Sequence, residues 1–228
     1  MRRTVTYLLL VFALAAVQAR ADLITNGSFE NTGGTFVSDA NHVDLLASGS
    51  TAIPGWTTIN GVPTAWLQNG NPYGISASNG SFFLDLTGYA DSGTYGGVMQ
   101  TFATTAGTKY VVTFDLGYGG ASGFFGGPVK LTASAAGTSA TFTSGSGTPN
   151  PAVWNSETFT FTATSATTTL DLVGLSTAGG EYIGLDNVDV EEGSVSTPAG
   201  PVPEPGTYVL LLTGIGLFGC AAGRRVFS

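Results

Sequence analysis

Charged and redox-active side chains are scarce in this sequence of 228 residues. Charged residues make up 10% of it, whereas about 25% is typical of soluble domains. The only histidine is His42 and the only cysteine is Cys220, which excludes an internal disulfide and any metal centre that uses two or three histidines. Glu, Lys and Arg are too few for a helical bundle or a coiled coil. The sequence also lacks a Gly-x-Ser-x-Gly elbow, a phosphate loop and a dinucleotide fingerprint.

Positive charge is nearly absent from the middle of the chain. Between residues 22 and 200 the only basic residues are Lys109 and Lys130, against 14 acidic residues, which gives a net charge of −12. Nucleic-acid binding requires clustered Lys and Arg, so we exclude it as a function. An acidic surface of this kind suits neutral ligands or divalent cations.

The first 21 residues have the three parts of a secretory signal peptide. Arg2 and Arg3 precede an apolar run over residues 7–17, and small residues surround the expected cleavage site at Ala21. Eleven apolar residues are too few to span a bilayer, which takes about 20. We therefore predict a signal peptide over residues 1–21, cleavage by signal peptidase and export of the remaining chain.

The C-terminal end has a second three-part pattern. Pro203, Glu204 and Pro205 precede an almost uniformly apolar run over residues 208–222, and Arg224 and Arg225 follow it. Because proline cannot continue a helix backward, we predict a transmembrane helix that starts after Pro205 and covers about residues 207–223. The two arginines would remain on the cytoplasmic side of the membrane.

These three parts, in this order at the terminus, resemble the PEP-CTERM sorting signal of Gram-negative bacteria. The resemblance covers residues 201–228. It implies transient anchoring in the inner membrane, cleavage by an exosortase (a membrane transpeptidase-like enzyme), and delivery to the cell surface or the extracellular matrix. A plain C-terminal membrane anchor is the alternative interpretation.

Residues 22–192 show the period-two alternation of half-buried β-strands and no convincing helical period. Glycine-, asparagine- and serine-rich turns separate the candidate strands. We therefore predict one all-β domain, an antiparallel β-sandwich, with a polar linker after it over residues 193–200. The strongest alternation covers residues 82–87, 110–116 and 158–164, and weaker strands cover residues 131–135, 140–143 and 170–172.

The apolar residues of the last strand change parity between Leu185 and Val188. One face of a strand cannot bury both sets unless the strand bulges between them. The sequence therefore predicts a bulge at Asp186 and Asn187 that turns Asp186 toward a local partner, such as a metal ion. A strand that is buried on both faces is the alternative.

An ordered set of short motifs between residues 23 and 190 resembles the choice-of-anchor family of bacterial surface proteins and the related family-four carbohydrate-binding modules. The resemblance implies a galactose-binding-like jelly roll of eight or more strands. The motifs are Asn26-Gly27-Ser28-Phe29-Glu30, Pro54-Gly55-Trp56, Phe82-Phe83-Leu84-Asp85, Val98-Met99-Gln100, Gly107-Thr108-Lys109-Tyr110 and Leu185-Asp186-Asn187-Val188.

The same resemblance implies a structural calcium ion, which some of these relatives hold. The positions that match its ligands are Glu30 and Asp186, with Asp189 as an alternative ligand. Calcium takes six to eight hard oxygens, which carboxylates and backbone carbonyls supply. The other interpretation is that both residues are solvated acids at the ends of strands.

Aromatic side chains in turn-rich segments are the candidates for sugar binding. Sugar rings stack on exposed aromatic rings through their apolar faces, while nearby polar groups bond their hydroxyls. Residues 117–127 hold Tyr118, Phe124 and Phe125 among several glycines, and we predict that these three contact polysaccharide. Further aromatic residues in or beside turns are Trp56, Trp66, Tyr73, Tyr89, Tyr95 and Trp154.

The sequence thus favours an exported surface or matrix protein that binds exopolysaccharide without catalysis. One alternative is a structural matrix protein without a small ligand. A minor one is an ice-binding protein, which rests on the row Thr158, Thr160, Thr162 and Thr164. A hydrolase is the least supported, because some pair among 14 acidic residues will lie close together by chance.

Overall fold

The computed structural model describes residues 22–89, 93–121, 125–176 and 182–193. These residues belong to the first of two units of the chain, which ends at Gly193. The predicted signal peptide, the sorting motif with its arginines and the predicted transmembrane helix lie outside the described residues. Within the described ranges, no helix has the length and hydropathy of a membrane span.

Eleven β-strands make up the described unit, and they are β1 (Val43–Leu46), β2 (Thr57–Ile59), β3 (Thr64–Gln68), β4 (Phe82–Asp85), β5 (Gly97–Ala103), β6 (Lys109–Tyr118), β7 (Lys130–Ala135), β8 (Thr138–Thr143), β9 (Val153–Thr162), β10 (Thr167–Ser176) and β11 (Gly184–Glu192). They form a six-stranded sheet in the order β1-β3-β4-β11-β6-β9 and a five-stranded sheet in the order β2-β5-β10-β7-β8. All pairings are antiparallel. The predicted all-β jelly-roll sandwich is therefore confirmed, and each segment predicted as a strand overlaps one.

The main core lies between the two sheets, because the alternate apolar side chains of each strand face the opposite sheet. On β6 the inward residues are Val112, Phe114 and Leu116, and β10 contributes Leu170 and Leu172; each is at most 1% exposed. Burying an aliphatic or aromatic side chain of this size stabilises the fold by about 1.5–3 kcal/mol. The period-two pattern thus has a direct energetic basis.

The predicted bulge in the last strand is confirmed. Asp186 pairs with Asp115 on β6, whereas Asp189 pairs with Thr113, so β11 has one extra residue between the two pairs. Asn187 sits in this interval with a φ of +52°, a left-handed conformation that asparagine tolerates better than most residues. The bulge keeps Leu185 and Val188 in the same core.

A second apolar cluster lies apart from the main core. It covers the outward face of the six-stranded sheet, opposite to the inter-sheet side, and its buried members are Val43, Ala65, Leu67, Ile75, Phe83 and Tyr182. Half-buried Tyr73, Phe125 and Trp154 pack against it. Strands β3 and β4 are consequently buried on both faces.

Candidate functional site

A depression on the outward face of the six-stranded sheet arises where small residues stand side by side. The strand registers align Ala65, Asp85, Gly184 and Gly117 across β3, β4, β11 and β6. The ring of Tyr182 occupies the space above the two glycines, because a Cβ atom at Gly117 would lie 2.8 Å from the Tyr182 hydroxyl oxygen. Glycine at these positions is what lets a tyrosine lie against the sheet.

Described residues of two long loops wall this depression, and hydrogen bonds hold those residues in place. In the β3–β4 loop, the amide of Asn71 donates to the carbonyls of Gln68 (2.9 Å) and Ile75 (2.8 Å). The indole of Trp154 donates to the carbonyl of Ser76 at 3.0 Å. The backbone N–H of Ala121, in the β6–β7 loop, donates to the carbonyl of Tyr73 at 2.7 Å. The walls are therefore held in place by the protein itself.

Between these walls lies a cavity of about 140 Å³, which we call the tyrosine cleft. Its apolar sides come from the second cluster, and tyrosine hydroxyls and one carboxylate supply its polar groups. Such a combination of apolar walls and a few placed polar groups is typical of small-ligand sites. The lining residues are Val43, Ala65, Leu67, Tyr73, Ile75, Asp85, Gly88, Tyr89, Phe125 and Tyr182.

The rim of the tyrosine cleft is a chain of hydroxyl and carboxylate groups. Tyr89 is 50% exposed, and its hydroxyl donates to Oδ2 of Asp39 at 3.0 Å. Partial burial, together with hydrogen bonds to Tyr73 and Asp39, raises the pKa of Tyr89. Hydrogen bonding from the backbone N–H of Val43 lowers the pKa of Asp39. At neutral pH the rim therefore presents a protonated tyrosine beside an ionised aspartate.

The floor of the tyrosine cleft combines Asp85 with Tyr182. Oδ1 of Asp85 accepts hydrogen bonds from the backbone N–H and the hydroxyl of Thr87, each at 2.9 Å, and from the backbone N–H of Ile183 at 3.1 Å. Tyr182 is 1% exposed, and its hydroxyl has no hydrogen-bond partner among the described residues. Burial, with the nearby charges of Asp85 and Asp186, raises the pKa of Tyr182. The hydroxyl of Tyr182 is thus neutral, buried against the sheet at Gly117 and Gly184, and without a partner among the described residues.

The three predicted sugar-contacting residues have different positions. Tyr118 ends β6, is 8% exposed and packs in the main core, so its prediction as an exposed loop residue is wrong. The alternation of β6 simply continues two residues beyond Leu116. Phe124 lies outside the described residues. Phe125 is half-buried and lines the tyrosine cleft, where its ring meets that of Tyr73 edge-on with centroids 5.9 Å apart.

Among the further aromatic candidates, only some reach the outward face. Trp56, Trp66 and Tyr95 are buried in the main core. Tyr73 and Tyr89 line the tyrosine cleft. Tyr182 and Asp85, which complete it, were not predicted as site residues. The sequence signal that could have indicated this site is that β3 and β4 have apolar residues at both odd and even positions. Such a strand lies in a sheet that is covered on both faces.

The bulged end of β11 carries a buried pair of carboxylates. Oδ2 of Asp186 accepts from the backbone N–H of Asn79 at 2.8 Å, and Oδ1 accepts from the backbone N–H of Asn187 at 2.7 Å. Asp115, on the neighbouring strand, accepts from the hydroxyls of Ser78 and Ser156. Burial, reinforced by the charge of Asp115, raises the pKa of Asp186 to about 7. Among the described residues, Asp186 is bonded to the turn before β4, and a metal ion as its partner stays a prediction.

Glu30 binds the same turn from its other side. Its Oε1 accepts from the backbone N–H of Ser81 at 2.7 Å and of Phe82 at 2.6 Å. Oxygens of Glu30 and Asp186 thus already serve backbone donors, which does not match the outward-facing oxygen set that calcium takes. Within the described ranges, no group of three or more His, Cys, Asp or Glu side chains is arranged for a metal ion.

Calcium binding by Glu30 and Asp186 stays a prediction. The alternative ligand, Asp189, has its pKa raised to about 6 by burial and by hydrogen bonding with Asp22. The measurement that tests all three residues is the melting temperature of the protein with calcium and with a chelator. A calcium site predicts a rise with calcium that Glu30→Ala and Asp186→Ala remove, whereas equal values in both buffers contradict it.

The predicted ice-binding row lies on an edge strand. Thr158, Thr160 and Thr162 are exposed on β9, and Thr164 follows the strand. Their partners on β6 are Thr113, Val111 and Lys109, so only Thr158 lies beside another threonine on the next strand. The described part of the chain therefore gives this alternative no additional support.

Comparison with known proteins relates the chain to several others. The chain is 30% identical over 204 residues to Halomucin of Haloquadratum walsbyi. The matched region covers 84% of this chain and 2% of Halomucin. The chain therefore spans only a small part of the curated relative that it matches.

Solved structures with a similar arrangement share little sequence with the chain. A family 4 carbohydrate-binding module is 17% identical, with a TM-score of 0.38 over 75% of this chain and 99% of that one. A family 61 module in complex with β-1,4-galactotriose is 13% identical, and the match has a TM-score of 0.42 and covers 76% of this chain and 99% of that module. An adhesin domain of Lys-gingipain from Porphyromonas gingivalis is 15% identical, and the match has a TM-score of 0.45 and covers 67% of this chain and 99% of that domain.

Two family models match the sequence itself. Residues 201–226 match the PEP-CTERM protein-sorting motif, which confirms the sorting-signal resemblance and makes this an exported, surface-directed protein. Residues 22–181 match a family described as a protein of unknown function. That match covers more than two thirds of the chain and nearly all of the sandwich, so the chain belongs to the DUF642 family.

Proposed function

We propose that this exported protein binds a neutral polysaccharide at the tyrosine cleft and catalyses no reaction on it. The observation that carries the proposal is the cleft itself, in which Tyr73, Tyr89 and Phe125 surround a floor that includes Asp85 and Tyr182. Aromatic rings can stack on the apolar face of a sugar, and the polar groups of the rim, Tyr89 and Asp39, can bond its hydroxyls.

The fixed loops support binding rather than mere packing. Because Asn71, Trp154 and Ala121 already hold the walls through hydrogen bonds, little conformational entropy is lost when a ligand enters. The contact area remains small, so we expect a Kd between millimolar and micromolar, which corresponds to about −4 to −8 kcal/mol.

The charge of the tyrosine cleft supports a binding role without hydrolysis. Glycoside hydrolysis uses a pair of carboxyl groups about 5–10 Å apart, one of them as acid. Two carboxylates lie at the cleft, Asp85 on its floor and Asp39 on its rim. The pKa of Asp39 is lowered by hydrogen bonding from the backbone N–H of Val43, so it is not an acid, and Oδ1 of Asp85 is bonded to Thr87 and Ile183. This composition supplies hydrogen bonds to a sugar but no matched acid and base.

Binding is tested with the mature protein on immobilised neutral and anionic polysaccharides. Dextran, pullulan and galactan serve as neutral probes, and polygalacturonate serves as the anionic one. The proposal predicts retention on at least one neutral probe, because sugar hydroxyls match the cleft, and weaker retention on polygalacturonate, because like charges repel. No retention on any probe would favour the structural matrix protein.

The processing step is proposed separately. The match of residues 201–226 to the sorting motif supports cleavage by an exosortase at or beside Pro203, Glu204 and Pro205, after transient anchoring in the inner membrane. Replacing Glu204 with Ala should leave a longer, membrane-retained form in cells that have the enzyme, visible by mass spectrometry. Equal processing of the variant and the wild type would leave a simple membrane anchor.

A further inference from the structure

The described lining of the tyrosine cleft contains no lysine or arginine. Between residues 22 and 193 the sequence has no arginine, and its only lysines are Lys109 and Lys130. These two begin β6 and β7 and do not line the cleft. The stretches of this range outside the described residues contain neither residue type. His42 lies near Asp39 but is not a lining residue. The domain therefore offers a ligand in the cleft no Lys or Arg side chain.

Negative charge, in contrast, lies both on the floor and on the rim of the tyrosine cleft. Oδ1 of Asp85 accepts from the backbone N–H groups of Thr87 and Ile183, and the pKa of Asp39 is lowered, chiefly by its bond from the backbone N–H of Val43. Hydrogen bonds of this kind favour the ionised form of a carboxyl group. Asp85 is 7% exposed, and a charge removed from water acts more strongly on a neighbouring ligand. The electrostatics of the cleft thus favour a cation.

The aromatic rings of the tyrosine cleft face in different directions. The ring planes of Tyr73 and Phe125 meet at 82° with centroids 5.9 Å apart, and those of Phe125 and Tyr182 meet at 69° with centroids 6.2 Å apart. A flat sugar ring stacks on one ring face at a time, whereas a compact ammonium group can contact several. A cation within about 6 Å of a ring centroid is attracted by the negative face of the ring. Angled rings beside carboxylates therefore suit an ammonium group.

We propose that the tyrosine cleft binds an organic ammonium group, which an amino sugar or a choline-type molecule would supply. The group would contact the rings of Tyr73, Tyr89 and Phe125 and direct its positive charge toward Asp39 and Asp85. The net charge of −12 over residues 22–200 would raise the local concentration of such cations. This inference goes beyond the proposed function and does not rest on it, because an uncharged sugar makes no use of the charge of the cleft.

The test compares ligands that differ in charge and little in shape. Choline is paired with 3,3-dimethylbutan-1-ol, in which carbon replaces the nitrogen, and glucosamine is paired with glucose. Titration of the mature protein at pH 7 should give a Kd about tenfold lower for the charged member of at least one pair, since cation–π contacts and a desolvated carboxylate together contribute about 1.4 kcal/mol or more. The pair that shows the difference identifies the source of the ammonium group. Equal Kd values within both pairs, or no binding of either cation, would overturn the proposal.

Two matched variants locate the ammonium group in the molecule. Asp39→Asn and Asp171→Asn each remove one negative charge, the first at the rim of the cleft and the second on β10 of the five-stranded sheet. Binding in the cleft predicts that Asp39→Asn weakens ammonium binding about two- to fivefold, the range for a partly screened charge, and that Asp171→Asn leaves it unchanged. Equal losses in both variants would mean that the acidic domain attracts cations generally, and would overturn the assignment to the cleft.

The outcomes for this inference and for the proposed function are separable. Retention on neutral polysaccharides, with no preference for the charged member of either ligand pair, would overturn the ammonium site and leave the proposed function standing. Selective binding of choline or glucosamine that Tyr89→Ala weakens, without retention on any polysaccharide, would support the ammonium site and overturn the proposed function.

Discussion

The two outward faces of the sandwich differ in what covers them. The face of the six-stranded sheet carries buried aromatic and aliphatic residues and the tyrosine cleft. The face of the five-stranded sheet carries hydroxyls that pair across strands, as Thr101 does with Thr169 at 2.7 Å and Thr132 with Thr141 at 3.4 Å. Both faces belong to antiparallel sheets of one sandwich, so the difference does not come from strand geometry.

The connections between strands explain this difference. The β7–β8 hairpin of the five-stranded sheet turns at Ala136 and Gly137, which both have positive φ, as a tight two-residue hairpin turn requires. The connections β3–β4 and β6–β7 are long and fold back over the six-stranded sheet. Function on a rigid β scaffold usually resides on such loops. The longer loops therefore determine which face can enclose a ligand.

The largest difference between the two faces should appear when the depression under Tyr182 is filled. In Gly117→Ala the new Cβ would lie 2.6 Å from Cζ3 of Trp154 and 2.8 Å from the Tyr182 hydroxyl oxygen, so both rings must shift. Overpacking of this kind costs about 1–3 kcal/mol, which lowers the melting temperature by roughly 2–12 °C, and sugar binding should be lost. Calorimetry and titration measure the two effects.

The control for this variant is Ser134→Ala, on β7 of the five-stranded sheet. Ser134 is half-buried, and the loss of its hydroxyl should change stability by less than about 1 kcal/mol and leave sugar binding intact. Equal losses in both variants would mean that the two faces do not differ in their packing.

The second prediction compares two side chains with the same exposure. Tyr89 lines the cleft and Leu175 lies on β10, and each is 50% exposed. Tyr89→Ala removes a stacking ring and should weaken sugar binding about tenfold, or about 1.4 kcal/mol, with little change in melting temperature. Leu175→Ala should change neither quantity. A tenfold loss in Leu175→Ala would instead place the sugar on the five-stranded sheet.

A third, smaller effect isolates one hydroxyl. Tyr182→Phe removes the buried oxygen that has no partner among the described residues and leaves the ring. An unsatisfied buried polar group costs about 1–3 kcal/mol, so the melting temperature should stay constant or rise. Sugar binding should not change, because this hydroxyl lies against Gly117 and Gly184 and is not reached from the cleft. A loss of binding in Tyr182→Phe without a change in melting temperature would contradict this placement.

The smallest effect concerns pH and again compares the two faces. Because the folded-state pKa of Asp186 is raised to about 7, above the unfolded value of about 3.9, the folded protein binds a proton more tightly than the unfolded chain. The stability that this proton contributes is present at acidic pH and is lost as pH rises through about 7. The melting temperature in chelator should therefore fall by a few degrees from pH 5 to pH 8.

Two variants assign this pH effect to its source. In Asp186→Asn the melting temperature should depend less on pH between pH 5 and pH 8, because the asparagine side chain does not titrate. Asp171 lies on β10 of the five-stranded sheet, and burial alone raises its pKa, so Asp171→Asn should flatten the slope less. A slope that persists in Asp186→Asn would assign the titration to another group, such as Asp189, whose pKa is raised to about 6.

Strands that bury one face were predictable from sequence, and residues near strand ends were not. The alternation over residues 110–116 was sufficient to place β6, but it did not show that the strand continues to Tyr118, which is buried. The parity change after Leu185 predicted the bulge, because only an extra residue can keep both apolar sets on one face. Tyr182 has no such periodic signal, since it precedes its strand.

The sequence by itself determined the export signals, the acidic charge, the all-β class and the bulge at Asp186. Each depends on local composition or on the two-residue period of a strand, which operate within a few neighbouring residues. Only the tertiary structure decided that Asp85, Tyr73, Phe125 and Tyr182 share one cleft. These residues come from four separate segments, and what unites them is the register that sets Gly117 beside Gly184, together with two loops that fold over the glycines.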